Sequence, residues 1–327
     1  KDALRCRVMT KGTEYESKKV AANCHNSRSR SHLLCKTQLE RELWVNEFVY
    51  TGYREPYQSK SAYLKSIIEW NNETINIWSH LLGFIYFSWF FYDANINSLP
   101  RFAALISDHI VVSLCIIGAQ ICMLLSATYH IFGCASVKER KRWLRYDIFG
   151  ISAGLISIYL SGIYLAFFCF EEWRTNYFTM LCGLFIFITY LPSRSDLFDA
   201  KIYGSRIGYL HLAYIIIAAF GICPTIHWIS LHGGSSNSHV MAWLPNVFIL
   251  YGLLGFGFTF YATMIPERFI PGMFDVIGCS HQWWHWLILA AMIFWHRAGI
   301  ELLGMMRSMP EFCHHTTSSS NTSFVAY

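Results

Sequence analysis

Seven apolar stretches, each close to the length that crosses a lipid bilayer, constrain this chain more than any other feature. An α-helix rises about 1.5 Å per residue, so about 20 apolar residues span a hydrocarbon core about 30 Å thick. The stretches are 75–93, 110–133, 147–169, 177–192, 207–231, 241–264 and 279–300. Because lipid cannot satisfy backbone hydrogen bonds, we expect an all-α membrane protein, a bundle of seven transmembrane helices.

The low charge content argues against an ordinary soluble enzyme and against a nucleic-acid-binding domain. Only 14% of the 327 residues are charged and 54% are hydrophobic, whereas about a quarter of the residues in soluble domains are charged. We therefore interpret the net charge of +5 as a topology signal. The expected partners include membrane lipids and no nucleic acid.

The distribution of Lys and Arg predicts the orientation in the membrane. If the N-terminus lies inside, the inner segments carry 22 of these residues and the outer segments four. Because basic loops stay on the cytosolic side, we expect a cytosolic N-terminus and a lumenal or extracellular C-terminus. This orientation is opposite to that of rhodopsin-like receptors, so seven helices alone do not indicate a G-protein-coupled receptor.

Composition divides the chain into four parts. Residues 1–45 are polar and basic without a sustained period, which predicts a disordered cytosolic tail. Residues 46–74 mix aromatic and charged side chains, which is typical of a cytosolic amphipathic segment at the membrane interface. Residues 75–300 form the seven-helix transmembrane domain, and residues 301–327 form a lumenal tail. The spacing of the 11 cysteines predicts neither a disulfide framework nor a zinc ribbon.

Two histidines at the start of the seventh stretch predict a metal site. His281 and His285 are four residues apart, so on a helix they share one face with Cβ atoms about 5–6 Å apart. Ionisable residues are costly within a membrane and are by default a functional hypothesis. In the predicted orientation, His130 at the inner end of the second stretch and Asp147 at the inner start of the third lie at the same depth.

These residue types match the chemistry of a catalytic zinc ion. Three imidazoles are a sufficient ligand set for Zn²⁺ and leave the fourth tetrahedral position for water, whose pKa zinc lowers to about 7. Asp147 can hold that water and accept its proton, and the Ser126 hydroxyl, one turn deeper than His130, can orient it. We therefore expect zinc on His130, His281 and His285, with Asp147 and Ser126 as catalytic candidates.

Ordinary packing explains the other histidines better than ligation does. His227 and His296 fall toward the outer ends of their stretches, where histidines usually cap helices or lie at the interface. His80 and His211 are single, which favours hydrogen bonding between helices. Taken alone, the pair in the seventh stretch is equally consistent with metal binding and with packing. The matched depth of His130 and Asp147, in the second and third stretches, favours metal binding.

Five motifs in order resemble the progestin and adipoQ receptor family, which includes the adiponectin receptors. They are 72–81 (NETINIWSHL), 126–130 (SATYH), 146–151 (YDIFGI), 266–268 (PER) and 280–285 (SHQWWH). The resemblance covers roughly residues 45–300. It implies a seven-helix bundle with its N-terminus inside, zinc on the same three histidines, a water near Asp147, and Ser126 as the motif serine. It also implies a relationship to membrane-embedded hydrolases of ceramide amides.

Further segments resemble the branch of this family that traps Raf kinase at the Golgi. They are 51–54 (TGYR), 224–228 (PTIHW), 232–234 (HGG) and 266–269 (PERF). The resemblance implies a Golgi membrane regulator that sequesters Raf kinase and dampens MAP kinase signalling. Residues 1–74, the largest cytosolic segment, would be the tether. The plasma membrane is the alternative location.

Two other functions remain open at this point. One is a zinc-dependent lipid amide hydrolase, like a ceramidase, with ceramide or fatty acid in the bundle cavity. The other is a receptor for an extracellular steroid or adipokine, which ranks last because the outer loops are short. Zinc can also be purely structural, since binding to the native state stabilises it. The sequence therefore leaves enzymatic turnover undecided.

Overall fold

The protein is mainly α-helical over the residues that a computed structural model describes, which are 33–194, 207–309 and 313. The α-helices of six residues or more in these ranges are α1 Lys60–Lys65, α2 Thr74–Asp93, α3 Ile106–Phe132, α4 Val137–Ala166, α5 Glu171–Tyr190, α6 Tyr209–Phe220, α7 Ile222–Leu231, α8 Ser238–Thr263 and α9 Ser280–Ser308. The only β pairing among the described residues is an isolated bridge between Leu34 and Tyr53.

Each of the seven predicted membrane stretches corresponds to helix in the structure. Within the described residues, five helical regions are long and apolar enough to cross a membrane: Ile106–Phe132, Val137–Ala166, Tyr209–Leu231, Ser238–Thr263 and Ser280–Ser308. The all-α membrane class is therefore confirmed, whereas the orientation of the termini stays a prediction.

The fifth stretch consists of two consecutive helices. Helix α6 ends at Phe220, Gly221 caps it, and α7 begins at Ile222. Pro224 lies in the first turn of α7, where its missing N–H removes no bond that the helix would otherwise make. The helical ladder is thus interrupted just before the proline.

Two boundaries differ from the sequence prediction. Within the tail expected to be disordered, residues 33–45 are ordered, with 3₁₀ turns at Lys36–Gln38 and Arg41–Leu43. Residues 1–32 lie outside the described residues. At the other end, α9 continues to Ser308, past the expected end at residue 300, while residues 310–312 and 314–327 of the predicted lumenal tail also lie outside the described residues.

The chain forms two compact units. Unit 1 contains the described residues up to Ser79 together with Ala127–Leu144 and Thr259–His285. Unit 2 contains His80–Ser126, Arg145–Phe258 and the described residues from Trp286 onward. Each unit is built from segments that are separated in the sequence.

Buried polar side chains hold the loops of unit 1 together. The carboxylate of Asp275 accepts hydrogen bonds from the backbone N–H groups of Tyr50 and Thr51 and from the Thr51 hydroxyl, at 2.7–3.0 Å. Gly52 follows with a φ of +84°, and a Cβ there would lie 3.3 Å from Asn72. Its carbonyl accepts from the Asn72 N–H at 2.9 Å. These bonds join the 51–54 and 72–81 motifs. Glycine occupies position 52 because only glycine tolerates both this φ and so close an approach to Asn72.

A small apolar core lies beside these polar contacts in unit 1. Val49, Tyr53 and Cys279 are buried together and pack against Leu34 and Phe274. This packing orders residues 33–45, because Leu34 both buries its side chain and pairs its backbone with Tyr53. A periodicity search could not predict this order, since the segment is too short for a recurring pattern.

Unit 2 combines apolar helix packing with one buried ion pair. A buried cluster from α2, α3 and α9 includes Phe87, Ile116 and Met292. At the start of α3, the Asp108 carboxylate accepts two hydrogen bonds from the Arg307 guanidinium at 2.8 Å and one from the Tyr164 hydroxyl at 2.6 Å. A buried carboxylate is tolerated when its oxygens are satisfied in this way.

Unit 2 also contains an aromatic-lined cavity of about 70 Å³. Its walls come from α4, α6, α7, α8 and α9 and include Tyr159, Trp228, Trp243, Tyr251 and Trp295. All five of these side chains carry an aromatic ring, and aliphatic side chains such as Leu155 and Val247 line much of the rest. Such a cavity suits an apolar group, since polar lining atoms are few.

A disulfide joins Cys169, just after α4, to Cys313, beyond the end of α9. The two residues are 144 positions apart, so no spacing rule applied to the sequence could reveal the pair. The cysteine spacing, which predicts no disulfide framework, therefore does not reveal this bond.

Replacing Cys169 by Ser should lower the thermal unfolding temperature of the detergent-purified protein, since disulfides typically contribute about 2–4 kcal/mol to folding stability. Mass spectrometry of an unreduced digest should show the peptide linking residues 169 and 313 in the wild type only. Cys182→Ser is the matched control, because Cys182 is free and exposed. Free thiols at both positions in the wild type would contradict the disulfide.

Candidate metal centre

Three histidines of unit 1 meet at one point. His130 lies near the end of α3, and His281 and His285 lie in the first two turns of α9. The ring centroids are 5.1 Å apart for His130 and His281, 4.6 Å for His130 and His285, and 4.8 Å for His281 and His285. Among the described residues, this is the one group of three or more His, Cys, Asp or Glu whose ligand atoms lie within 4.8 Å of one another.

The spacing of the imidazole nitrogens fits a tetrahedral ion. The Nε2 atoms of His130 and His281 are 3.3 Å apart. Two ligands at about 2.0–2.1 Å from a tetrahedral ion are separated by roughly 3.3 Å. Two imidazole nitrogens at this distance either share a proton or hold a cation between them. The residues present therefore fit a metal, and three imidazoles suit zinc among other transition metals.

Burial sets the electrostatics of this group. His130 and His285 are only 4% and 2% exposed, whereas His281 is half-buried. Water is scarce around the two buried rings, so an ion held there is poorly screened and binds its ligands strongly. His281 is the most accessible of the three rings.

The loop before α9 fixes the start of that helix. The Glu267 carboxylate, fully buried, accepts the Ser280 N–H at 2.7 Å and also the Ser280 hydroxyl. It accepts a further bond from the Asn46 amide at 2.9 Å. The Gln282 side chain donates to the carbonyl of Val276 at 2.8 Å. Because an anion at a helix N-terminus is favourable, these contacts anchor the turn that carries His281.

The backbone and ring of His130 are held separately. Arg54, buried, donates to the carbonyl of His130 at 2.5 Å, to that of Ile131 at 3.0 Å and to the Ser66 hydroxyl at 3.0 Å. The Nδ1 atom of the His130 ring lies 2.8 Å from the Glu73 carboxylate. Arg54 thus satisfies carbonyls near the end of α3 that have no partner within the helix.

Glu73 is ionised at neutral pH in this environment. Burial acts to raise the pKa of its carboxyl group, but the contact with His130 and a hydrogen bond from Asn76 lower the pKa to about 2. An ionised carboxylate only accepts hydrogen bonds.

The structure brings together all three histidines predicted as ligands. Ser126 lies one turn before His130 on α3 and is buried, but it belongs to unit 2. Asp147 is half-buried near the middle of α4 and also belongs to unit 2. The catalytic roles of Ser126 and Asp147 therefore stay predictions, as does the identity of the metal.

Sequence reasoning missed three contributors to the site: Glu73 and Arg54, which contact His130, and Ser79, whose hydroxyl lies 3.3 Å from Nδ1 of His285. Two of them lie in the 72–81 motif, and Arg54 lies in the 51–54 motif. The signal in the sequence is the carboxylate of Glu73 at the inner end of the first stretch, at the expected depth of the histidines. The predicted site draws only on the second, third and seventh stretches, so it does not include this carboxylate.

The purified full-length protein should contain about one metal ion per chain, and His130→Ala or His285→Ala should reduce this to near zero, because two imidazoles bind zinc far more weakly than three. Elemental analysis by mass spectrometry after dialysis measures the content. His109→Ala is the matched control, since His109 pairs with Asn95 in unit 2. Unchanged metal content in both ligand variants would contradict the site.

Comparison with known proteins agrees with this architecture. A family model described as HlyIII, haemolysin-III related, matches residues 68–296. Progestin and adipoQ receptor family member 3 of Mus musculus is 35% identical over 280 residues, 84% of this chain and 86% of that protein. The Homo sapiens protein of the same name is 32% identical over 275 residues, 84% of this chain and 86% of that protein.

A plant protein extends the similarity. Heptahelical transmembrane protein 1 of Arabidopsis thaliana is 28% identical over 293 residues, 84% of this chain and 82% of that protein. Its name agrees with the seven helical stretches found here, and the matched region 68–296 contains all three clustered histidines. The chain therefore belongs to the progestin and adipoQ receptor family of haemolysin-III-related membrane proteins.

Proposed function

We propose that this protein is a zinc-binding regulator of the Golgi membrane, which sequesters Raf kinase on its cytosolic surface and so dampens MAP kinase signalling. The observation that carries this proposal is that the three histidines belong to the same compact unit as residues 33–79. In the predicted orientation this unit faces the cytosol. Zinc then stabilises the surface that the kinase contacts.

Hydrogen bonds connect the metal ligands with that surface. Arg54 and Glu73 both bind His130, and Asn46 binds Glu267, which holds the start of α9. Asn46 and Arg54 come from the segment whose neighbours at residues 40–42 are exposed. Loss of the metal should therefore loosen this segment as well as the histidines.

Exposed charged side chains on this surface are available to bind a partner. Glu40, Arg41, Glu42 and Glu47 are exposed, and Tyr57 donates a hydrogen bond to Glu40 at 2.9 Å. These side chains surround an ordered 3₁₀ turn, so a partner would meet a preformed arrangement with a small ordering cost. The identity of that partner as Raf kinase rests on the resemblance of the 51–54, 224–228 and 266–269 segments.

The effect of zinc on this unit follows from mass action. A ligand that binds only the native state stabilises it by about 2.7 kcal/mol when its free concentration is 100 times its Kd. Removing zinc therefore lowers the population of the ordered surface, and an effect on kinase binding can arise without any catalytic role for the metal.

Raf kinase should co-sediment with Golgi membranes that carry the wild-type protein. Charge reversal of the Arg41 and Glu42 pair should reduce this association several-fold, because it inverts an exposed patch and leaves the buried contacts intact. His130→Ala should also reduce the association, because it removes the metal that stabilises the surface, and His109→Ala should not. Raf that stays soluble beside metal-loaded wild-type protein would contradict the proposal.

Zinc-dependent hydrolysis of a lipid amide is the second candidate, and a different observation favours it. The Nε2 atoms of two of the three clustered imidazoles are 3.3 Å apart, which is the spacing of two ligands on a tetrahedral ion. Zinc held by the three rings would leave a fourth position for water and would lower the pKa of that water to about 7. Asp147 would accept the proton of this water, and Ser126 would orient it by hydrogen bond. The lipid of this proposal is ceramide, or the fatty acid released from it.

Purified protein should then release fatty acid from ceramide, and Asp147→Asn should lower the rate by about 10²–10⁴-fold, the usual contribution of a general base. Metal content should remain unchanged, which separates loss of the base from loss of the ion. Asp93→Asn is the control, because the Asp93 carboxylate accepts hydrogen bonds from its neighbours Asn97 and Ser98. No turnover by zinc-loaded protein over a range of acyl lengths would leave the metal a structural role.

A further inference from the structure

We propose that Glu73 and Ser79 are positioning residues of the metal centre. They accept the Nδ1 protons of His130 and His285, so that both rings present the Nε2 lone pair to the ion. The inference rests on the metal centre of the proposed function and adds residues that act through its ligands. It applies equally to a structural and to a catalytic ion.

The contact of His130 sets its tautomer. Nδ1 of His130 lies 2.8 Å from Oε2 of Glu73, and a carboxylate oxygen accepts a hydrogen bond. Nδ1 therefore carries the proton, and Nε2 is left with its lone pair. This is the nitrogen that lies 3.3 Å from Nε2 of His281, on the side where the three rings converge.

Asn76 holds the Glu73 carboxylate in place. The Asn76 side chain, fully buried, donates to the same Oε2 of Glu73 at 2.6 Å. The carboxylate is thus bound between an amide and an imidazole. A side chain held on two sides cannot follow a rotation of the His130 ring, so the ring orientation is fixed as well as its tautomer.

Ser79 plays the corresponding part for His285, and its own hydrogen bonds show the direction. The Ser79 hydroxyl, fully buried, donates its one proton to the carbonyl of Asn76 at 3.1 Å. Its oxygen is then an acceptor for Nδ1 of His285, 3.3 Å away. Nδ1 of His285 therefore also carries a proton, and Nε2 is available to the ion.

One short segment supplies both contacts. Glu73 directly precedes α2, and Asn76 and Ser79 follow at intervals of three residues in its first turns, so the three lie along one side of this helix start. The start of α2 therefore sets the register of two ligands that come from α3 and α9. The more buried two of the three ligands, His130 and His285, are the ones held in this way.

Removing either acceptor frees its histidine to take the other tautomer, in which Nε2 carries the proton and cannot bind the ion. Loss of such a partner typically costs 10–100-fold in metal affinity. A carboxylate also makes the imidazole a stronger donor of electron density, so Glu73 should matter more than Ser79. A merely structural ion pair between Glu73 and His130 would affect folding without changing affinity in protein that remains folded.

The test measures the affinity of detergent-purified full-length protein for Zn²⁺ by chelator competition, and the visible spectrum of protein loaded with Co²⁺. Glu73→Ala should weaken binding by about 10–100-fold and Ser79→Ala by about tenfold or less. Glu73→Gln should lie between the wild type and Glu73→Ala, because the amide oxygen still accepts from Nδ1. The intense tetrahedral cobalt bands should weaken in Glu73→Ala. Glu69→Ala is the control, since the Glu69 side chain is exposed.

The outcomes are separable from those of the proposed function. Wild-type affinity in folded Glu73→Ala and Ser79→Ala protein would overturn the positioning role. If Glu73→Ala does not fold, unchanged affinity in both Glu73→Gln and Ser79→Ala overturns it, and graded losses support it. Weaker metal binding in these variants would support the positioning role even if the wild-type protein does not bind Raf kinase. The lack of Raf binding would then reject the proposed function alone.

Discussion

The candidate metal centre of unit 1 depends on the close approach of its imidazole nitrogens. Nε2 of His130 and Nε2 of His281 are 3.3 Å apart in surroundings that exclude most water. Two lone pairs at that distance repel unless a proton or a cation lies between them. A cation satisfies all three rings at once, whereas a single proton satisfies two, so the arrangement favours a metal.

The remainder of unit 1 supports that arrangement with buried polar bonds. Glu267 holds the start of α9, Arg54 holds the end of α3, and Asp275 holds the loop at residues 50–51. Each is a charged group that would be costly to bury without partners. The unit therefore tolerates little rearrangement, which is the property that both a kinase-binding surface and a catalytic centre require. Unit 2 differs, since apolar packing and a single buried ion pair are its main described features.

Much of the fold could be predicted because membrane helices obey a strong local rule. Each of the seven stretches must satisfy its own backbone, and a run of about 20 apolar residues is visible without any tertiary information. The ends of the elements were less predictable. Residues 33–45 are ordered by the pairing of Leu34 with Tyr53, and α9 extends to Ser308 near the Arg307 ion pair with Asp108. Both features depend on partners elsewhere in the chain.

The sequence by itself determined the helical class, the membrane location and the three histidines, because apolar run length and an i, i+4 spacing are local properties. Only the tertiary structure decided which groups serve those histidines. Glu73 is 57 residues from His130, Ser79 is 206 residues from His285, and Cys169 is 144 residues from Cys313. No periodic pattern connects positions so far apart. Their meeting follows from the packing of helices, in which each buried donor must find an acceptor.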